Sequence, residues 1–260
     1  MNSNQKQTEA LICYTVSKGE DTYFTHVVFP LNIPSIESIT IINVYPGSAM
    51  LEVIISNPSS SDQARQVAEK FLPTILDKIA YFYNLRIGQP QLGCIILKAI
   101  QDDGSREEID RILTNTNNHQ EHITDYHSLP HSQLIDLLNS PPNSRKDLYY
   151  KQYRIALHSD DPLAQYMLLY SILIQLFQDS QHKVDEFIRE VEPEVQIFKK
   201  NIQKREKTHM KEETIYTNLR NAIAHAQPAA TFEEPLKAIQ ENLGRLRALT
   251  QQAIETRIPG

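Results

Sequence analysis

The residue types best suited to chemistry lie close together near the C-terminus. Arg220, Asn221 and His225 fall within one segment whose pattern predicts a helix. An arginine stays charged and binds phosphate oxygens in a bidentate manner. A histidine titrates near neutral pH and can act as acid or base. This set suits the attack of an RNA 2′-hydroxyl on its adjacent phosphate, with Asn221 orienting His225 or the phosphate. Neither a metal ion nor a cofactor is expected.

The predicted helix around Arg220 has two different faces. At about 100° per residue, an apolar stripe falls on one side. That stripe consists of Ile215, Leu219, Ala222, Ile223 and Ala226. The opposite face carries Thr217, Arg220, Asn221, Ala224 and His225. Its small residues would admit a second backbone, and the same helix from another copy would place two arginines and two histidines around a twofold axis.

A basic stretch precedes this helix and could bind the RNA backbone. Its basic residues are Lys199, Lys200, Lys204, Arg205, Lys207, His209 and Lys211, of which the first five are the candidates for RNA contact. The alternative is a solvated helix face, because Glu206, Glu212 and Glu213 occur in the same segment. The net charge of −6 argues against a protein that coats nucleic acid by bulk electrostatics. Contact with RNA is therefore expected to be local.

The Leu219-Arg220-Asn221 segment followed by His225 resembles the signature of HEPN domains (higher eukaryotes and prokaryotes nucleotide-binding). Residues 149–177, with an Asp-Asp-Pro break and a tyrosine-rich apolar helix, look like the first helix pair of such a bundle. The resemblance covers the C-terminal half of the chain. The chain as a whole is also loosely similar to the methylamine-utilisation MauJ-like group, which pairs an α+β region with such a bundle.

The HEPN resemblance implies a metal-independent endoribonuclease that builds a composite site in a homodimer. Such enzymes serve in toxin–antitoxin, phage-defence and CRISPR systems. Family members silenced by nucleotide transfer to a tyrosine carry it two residues after the histidine, where this chain has Gln227. That regulation is therefore not expected. The alternatives are a non-catalytic RNA- or protein-binding dimerisation module and, more weakly, a nucleotide-binding cleft.

Residues 1–100 predict a small α+β domain. Segments 23–31, 38–44, 50–56 and 92–97 predict strands, because they are apolar, are rich in β-branched or aromatic residues, or are bounded by turn residues. Ser60 or Asp62 offers a cap for a helix that reaches about Asn84. Residues 101–130 are polar and predict a connector with one short helix at about 107–113.

Residues 131–260 predict an all-α, HEPN-like bundle. Asp161 and Pro162 suggest the start of a helix over residues 163–177, which is apolar on nearly all sides. That helix is expected to be buried centrally or shared with a partner subunit. A helix over 184–192 is followed by Pro193 and by further helix toward Lys207. The last two helices are predicted over 212–226 and after a capping box that begins at Thr231.

The remaining features predict a soluble, cytoplasmic protein. Cys13 and Cys94 lie in apolar stretches and are expected to be buried thiols, rather than a disulfide, in a reducing compartment. The N-terminus lacks the apolar core of a signal peptide, and the longest apolar run is too short to span a membrane. The expected partners are RNA, a second copy of the chain, and a protein bound through the N-terminal domain.

Overall fold

The structure is a computed structural model of the chain. It describes residues 7–19, 27–45, 47–114, 131–204, 207–224 and 233–258. The chain folds into two compact units, Met1–Pro142 and Asn143–Gly260. None of the described helices is long and apolar enough to cross a membrane.

The first unit is built on a six-stranded antiparallel sheet, which confirms the α+β prediction. Its strands are β1 (Thr8–Ser17), β2 (Val27–Ile33), β3 (Ile36–Tyr45), β4 (Ser48–Ser56), β5 (Gln91–Ile100) and β6 (Arg106–Leu113). Their order across the sheet is β2-β3-β4-β1-β5-β6. The four predicted strands correspond to β2, β3, β4 and β5, and Gly47 makes the tight turn between β3 and β4 with a φ of 80°. Strand β1 was not predicted.

One face of the sheet is covered by α1 (Ser61–Tyr83). As predicted, the helix begins after Ser60, whose side chain accepts a hydrogen bond from the Gln63 backbone N–H. It ends at Asn84, which adopts a left-handed conformation. The apolar positions of α1 pack onto alternate residues of the strands, as in Ala10, Ile12, Tyr14 and Val16 of β1. This two-layer packing forms the core of the first unit.

The expected helix at 107–113 is wrong, because this segment forms the edge strand β6. It pairs with β5 from Cys94 opposite Leu113 to Ile100 opposite Arg106, with one register shift between Leu97 and Lys98. Nearly all its side chains are exposed, and most are charged. Charged side chains are common on edge strands because they discourage pairing with other chains. The strand exists through pairing with β5 rather than through local propensity, so its composition misled the prediction.

Helix α2 (His131–Asn139) belongs to the first unit, although it falls within the predicted C-terminal bundle. Leu134 and Leu138 join the core beneath the sheet. The Lys78 ammonium on α1 is buried and donates to the Leu137 carbonyl at 3.0 Å and to Ser140 Oγ at 3.2 Å. These bonds fasten the end of α2 to α1.

The second unit is largely helical but not all-helical as predicted. Its helices are α3 (Ser144–His158), α4 (Pro162–Leu176), α5 (Gln181–Val191), α6 (Ile215–Ala224) and α7 (Glu233–Arg257). Between α5 and α6 lies an antiparallel hairpin of β7 (Ile197–Lys204) and β8 (Lys207–Thr214). The predicted helix toward Lys207 is therefore wrong, and the helix predicted from 212 begins at Ile215. The hairpin arises because adjacent segments pair with each other, which periodicity alone does not reveal.

The centre of the second unit is α4, as its apolar sequence predicted. Its Tyr166, Leu169, Tyr170 and Leu173 are almost completely buried. It packs against α3, α5, α6 and α7. The Asp161 side chain caps its first turn by accepting from the backbone N–H groups of Leu163 at 3.0 Å and Ala164 at 3.2 Å. A weakened cap should therefore loosen the helix around which the unit is built.

Replacement of Asp161 by alanine should lower the free energy of unfolding by about 1 kcal/mol, because two N–H groups lose their acceptor. Chemical denaturation of the full chain measures this loss. Asp161→Asn is the matched control, since asparagine keeps a capping oxygen and should stay close to the wild type. Equal stability of the alanine variant and the wild type would show that the cap contributes nothing.

Candidate functional site

The helix that carries Arg220 follows directly from the hairpin. Strand β8 ends at Thr214 and α6 begins at Ile215. The Thr214 hydroxyl accepts a hydrogen bond from the Thr217 backbone N–H at 3.4 Å, which is the position of a helix N-cap. Thr214 therefore ends the strand and starts the helix at the same residue.

A buried carboxyl group holds this junction. Asp185 on α5 is 1% exposed, and its Oδ1 accepts from the Thr214 backbone N–H at 3.0 Å. The same oxygen accepts from the hydroxyls of Thr214 at 2.6 Å and Thr217 at 2.7 Å. Because the Thr217 proton points to Asp185, the Tyr170 hydroxyl must donate to Thr217 Oγ1, 2.6 Å away. Burial raises the pKa of Tyr170 above its ordinary value, so the phenol keeps that proton.

The faces of α6 differ from those predicted. The buried residues are Tyr216, Thr217 and Leu219, and Ala222 is exposed although it was expected in the apolar stripe. Thr217 was expected on the open face, but it is fully buried against Asp185 and Tyr170. The Thr217 hydroxyl bonds Asp185 and Tyr170 in the interior, and this rotation of α6 leaves Ala222 exposed.

Asn221 belongs to a closed ring of polar side chains. Its Nδ2 donates to Glu213 Oε1 at 3.1 Å, and its Oδ1 accepts from Gln181 Nε2 at 3.0 Å. Lys211 completes the ring, with its Nζ 2.8 Å from Glu213 Oε1 and 3.3 Å from Gln181 Oε1. Each member thus fixes the next, and the orientation of the Asn221 amide is set by partners on α5 and β8.

Arg220 attaches to this ring from the neighbouring position on α6. The guanidinium Nη1 donates to Asn221 Oδ1 at 3.0 Å. Arg220 is half-buried, and its charge acts on the Tyr170 phenol. We call Arg220, the four ring residues and Lys200 the α6 polar cluster. In this cluster, the amide oxygen of Asn221 holds one nitrogen of the Arg220 guanidinium.

Glu213 is the electrostatic centre of the cluster. Its carboxyl is buried, and Lys200 Nζ lies 2.9 Å from Oε2 while Lys211 Nζ lies 2.8 Å from Oε1. Burial by itself raises the pKa of Glu213, but the hydrogen bonds and charges of Lys211 and Lys200 outweigh it, so the pKa lies below its ordinary value. The group is therefore an anion at neutral pH, and it gathers two lysines beside Arg220.

The other predicted site residues lie on or beyond the hairpin. Lys199 is on β7, and its Nζ is 3.4 Å from Glu212 Oε1. The backbone places Lys204 opposite Lys207 at the end of the hairpin. Arg205 and His225 lie outside the described residues. The structure therefore brings together Arg220, Asn221 and Lys200 among the candidates.

Sequence reasoning missed Gln181, Asp185, Thr214 and the central role of Glu213, and it placed Lys211 only within the basic stretch. Thr214 carried a signal, because a threonine is a common N-cap. The others converge from separate elements and carried none. Among the described residues, no group of three or more His, Cys, Asp or Glu side chains is arranged to hold a metal ion.

Residues 149–254 match the family model described as "Methylamine utilization protein MauJ". The match confirms the similarity to the MauJ-like group over less than half of the chain. It includes the helices α4, α5 and α6 and the hairpin, and thus the whole α6 polar cluster. No curated protein and no solved structure matches the chain significantly.

Replacement of Glu213 by glutamine should lower the free energy of unfolding at pH 7 by about 1–3 kcal/mol, because the buried acceptor loses its charge beside two lysines. The folded-state pKa of Glu213 is lowered, so its contribution is fully present above the ordinary value of 4.5. It is lost as the pH falls through the folded-state pKa. The free energies of unfolding of the wild type and of Glu213→Gln should therefore converge at acid pH. Denaturation curves of both proteins from pH 7 to pH 3 measure this.

Glu212→Gln is the matched control, because Glu212 is the adjacent residue and also pairs with two cations, Arg189 at 3.6 Å and Lys199 at 3.4 Å. Its side chain is largely exposed, and such pairs contribute about 0–1 kcal/mol. A loss in Glu212→Gln as large as that in Glu213→Gln would contradict the central role of Glu213.

Proposed function

We propose that the second unit binds RNA and cleaves it without a metal ion, through Arg220, Asn221 and His225 in a homodimer. The observation that carries the proposal is the hydrogen bond from Arg220 to an Asn221 amide fixed in turn by Glu213 and Gln181. A fixed guanidinium binds phosphate at a lower entropic cost than a free side chain does. Preorganised cations of this kind stabilise the charge that develops on phosphate.

The charges around Arg220 also support phosphate binding. Lys200 and Lys211 share the buried carboxylate of Glu213, so together with Arg220 the α6 polar cluster holds three cations and one anion. Lys199 is adjacent to Lys200 on β7, so its side chain lies on the opposite face of the hairpin, where it pairs with Glu212 rather than adding to these cations. A local basic surface on an acidic protein suits a nucleic-acid backbone at one place rather than along the whole molecule.

The proposed reaction forms a bond between the 2′-oxygen and the neighbouring phosphorus and breaks the bond to the 5′-oxygen. His225 takes the 2′-hydroxyl proton, and an imidazolium gives a proton to the leaving 5′-oxygen. Arg220 binds the phosphate oxygens while the charge increases there. The products are a 2′,3′-cyclic phosphate and a 5′-hydroxyl. In a dimer the two histidines can come from different copies.

The exposed small residues Ala222 and Ala224 support the dimer part of the proposal. Both lie in the second half of α6, next to Asn221, and both are exposed in the single chain. Small side chains let a second helix approach closely. The partner surface proposed here is thus this half of α6, rather than the Thr217 side, which is buried.

A second candidate is a non-catalytic interaction module, and one observation favours it. The ring of Asn221, Glu213, Lys211 and Gln181 satisfies much of its own hydrogen-bonding capacity. Such a closed ring also serves simply to join α6 to α5 and the hairpin. In that case Arg220 and Asn221 stabilise the unit or its assembly, and their replacement changes stability rather than cleavage.

The intact protein, incubated in EDTA with a mixed end-labelled RNA pool, should produce 2′,3′-cyclic phosphate ends. Arg220→Ala and His225→Ala should each slow cleavage by about 10²–10⁴-fold, because each removes charge stabilisation or proton transfer. Gel analysis of the fragments measures the rate, and size-exclusion chromatography with light scattering measures the oligomeric state of every variant.

The matched controls are Arg245→Gln and His182→Gln, which remove the same side-chain types from α7 and α5. Both side chains are at least half exposed and pair with glutamates, Glu192 and Glu186 respectively. Their cleavage rates should stay at the wild-type level. Absence of cleavage by the intact dimer would overturn the catalytic proposal, and unchanged RNA binding in Arg220→Ala would overturn the binding proposal too.

A further inference from the structure

The two cysteines face each other across neighbouring strands of the first unit. Cys13 on β1 and Cys94 on β5 are register partners, and both are free and half-buried. Cys13 lies between Ile12 and Tyr14, which point into the core, so its side chain occupies the opposite face of the sheet. The two thiols were expected to be buried, but they are half-buried and lie opposite each other on the face that α1 does not cover.

A bulge beside Cys94 shapes this pair. The register shifts after Cys13, so that Tyr14 pairs with Leu92 and Gly93 is left over. A Cβ atom at Gly93 would lie 3.3 Å from the Cys13 carbonyl oxygen, a tight contact that glycine avoids. The strands thus approach closely where the thiols meet, and the bulge changes the local ladder of hydrogen bonds.

The two thiols differ in pKa because their surroundings differ. The side-chain hydrogen bond from Cys13 is the largest influence on Cys94 and lowers its pKa. Burial raises the pKa of Cys94. The Cys13 backbone N–H and the charge of Arg111 lower it, and the charge of Glu52 on β4 raises it. The resulting pKa of Cys94 is about 7. The pKa of Cys13 is raised by the bond to Cys94, by burial and by Glu52, against a smaller effect of Lys98.

We propose that Cys13 and Cys94 form a peroxide-sensitive dithiol that closes to a reversible disulfide between β1 and β5. Directly paired residues on antiparallel strands have Cα atoms about 4.5–5.5 Å apart. This separation lies within the range of about 4.4–6.8 Å found for disulfides. The bond can therefore form without moving either strand. This proposal does not depend on the RNA binding proposed for the second unit.

The oxidant is a hydroperoxide, and the reaction proceeds in two balanced steps. The Cys94 thiolate attacks one peroxide oxygen, the O–O bond breaks, and the leaving hydroxide or alkoxide takes a proton. Cys94 is then a sulfenic acid. The Cys13 sulfur attacks the Cys94 sulfur, the S–O bond breaks, and the hydroxide leaves as water with the Cys13 proton. With hydrogen peroxide, two thiols and one peroxide thus give one disulfide and two waters.

The test treats the reduced full chain with hydrogen peroxide at pH 7 and alkylates it under denaturing conditions. Mass spectrometry should show the loss of two hydrogens, one peptide pair joined through Cys13 and Cys94, and recovery with dithiothreitol. In Cys13→Ser, which keeps a hydroxyl donor toward Cys94, a dimedone adduct should accumulate on Cys94. In Cys94→Ser, the remaining thiol should react at least about tenfold more slowly, because even a thiol with an ordinary pKa is mostly protonated at pH 7.

The pH dependence of alkylation separates this chemistry from mere proximity of the thiols. The rate at Cys94 should reach half its maximum near pH 7, and Arg111→Gln should move that midpoint upward. Arg106→Gln is the matched control, because Arg106 is also on β6 but pairs with Glu9 at 3.0 Å, and it should leave the midpoint unchanged. Oxidation that gives only sulfinic acid or intermolecular disulfides, or a Cys94 midpoint at the ordinary thiol value, would overturn the proposal.

Discussion

The hydrogen bonds to the buried carboxyl of Asp185 fix the start of α6, and the geometry of the second unit's polar side depends on them. A carboxyl group in an apolar interior is costly unless its oxygens are bonded. Here one oxygen receives the backbone and side-chain donors of Thr214 and the hydroxyl of Thr217. The end of β8, the first turn of α6 and the rotation of that helix are therefore set together. Arg220 and Asn221 take their positions from this rotation.

The two units are stabilised in different ways. The first is an apolar sandwich of one sheet and two helices, in which alternate strand residues meet the apolar face of α1. The second contains five almost fully buried tyrosines and a central helix, and hydrogen bonds of polar side chains join its elements. Tyr166, for example, donates to the Tyr216 carbonyl at 2.9 Å. Such bonds select one arrangement of the helices, because a buried donor that loses its acceptor finds no water to replace it.

Local sequence signals predicted the elements that local physics determines. Ser60 and Asp161 cap helices, proline and glycine bound strands, and the apolar run after Pro162 becomes the central helix. The strands β6, β7 and β8 escaped prediction because charged and polar residues dominate them and their stability comes from pairing. Strand β1 was also missed, although the alternation of Ala10, Ile12, Tyr14 and Val16 carried a local signal. For the candidate site, adjacency alone placed Arg220 beside Asn221. Asp185, Gln181 and Lys211 reach it from other elements, and such convergence depends on tertiary structure.

The direct passage of β8 into α6 has a mechanical consequence. Most elements are joined by loops that absorb displacement, but Thr214 is both the last residue of a strand and the cap of a helix. A displacement of the hairpin is therefore passed on to α6 through Thr214, which is bonded to Asp185. A force that tilts the lysine-bearing strands must also tilt the first turns of α6. A molecule that binds the hairpin and tilts it thus also tilts the helix that positions the Arg220 guanidinium.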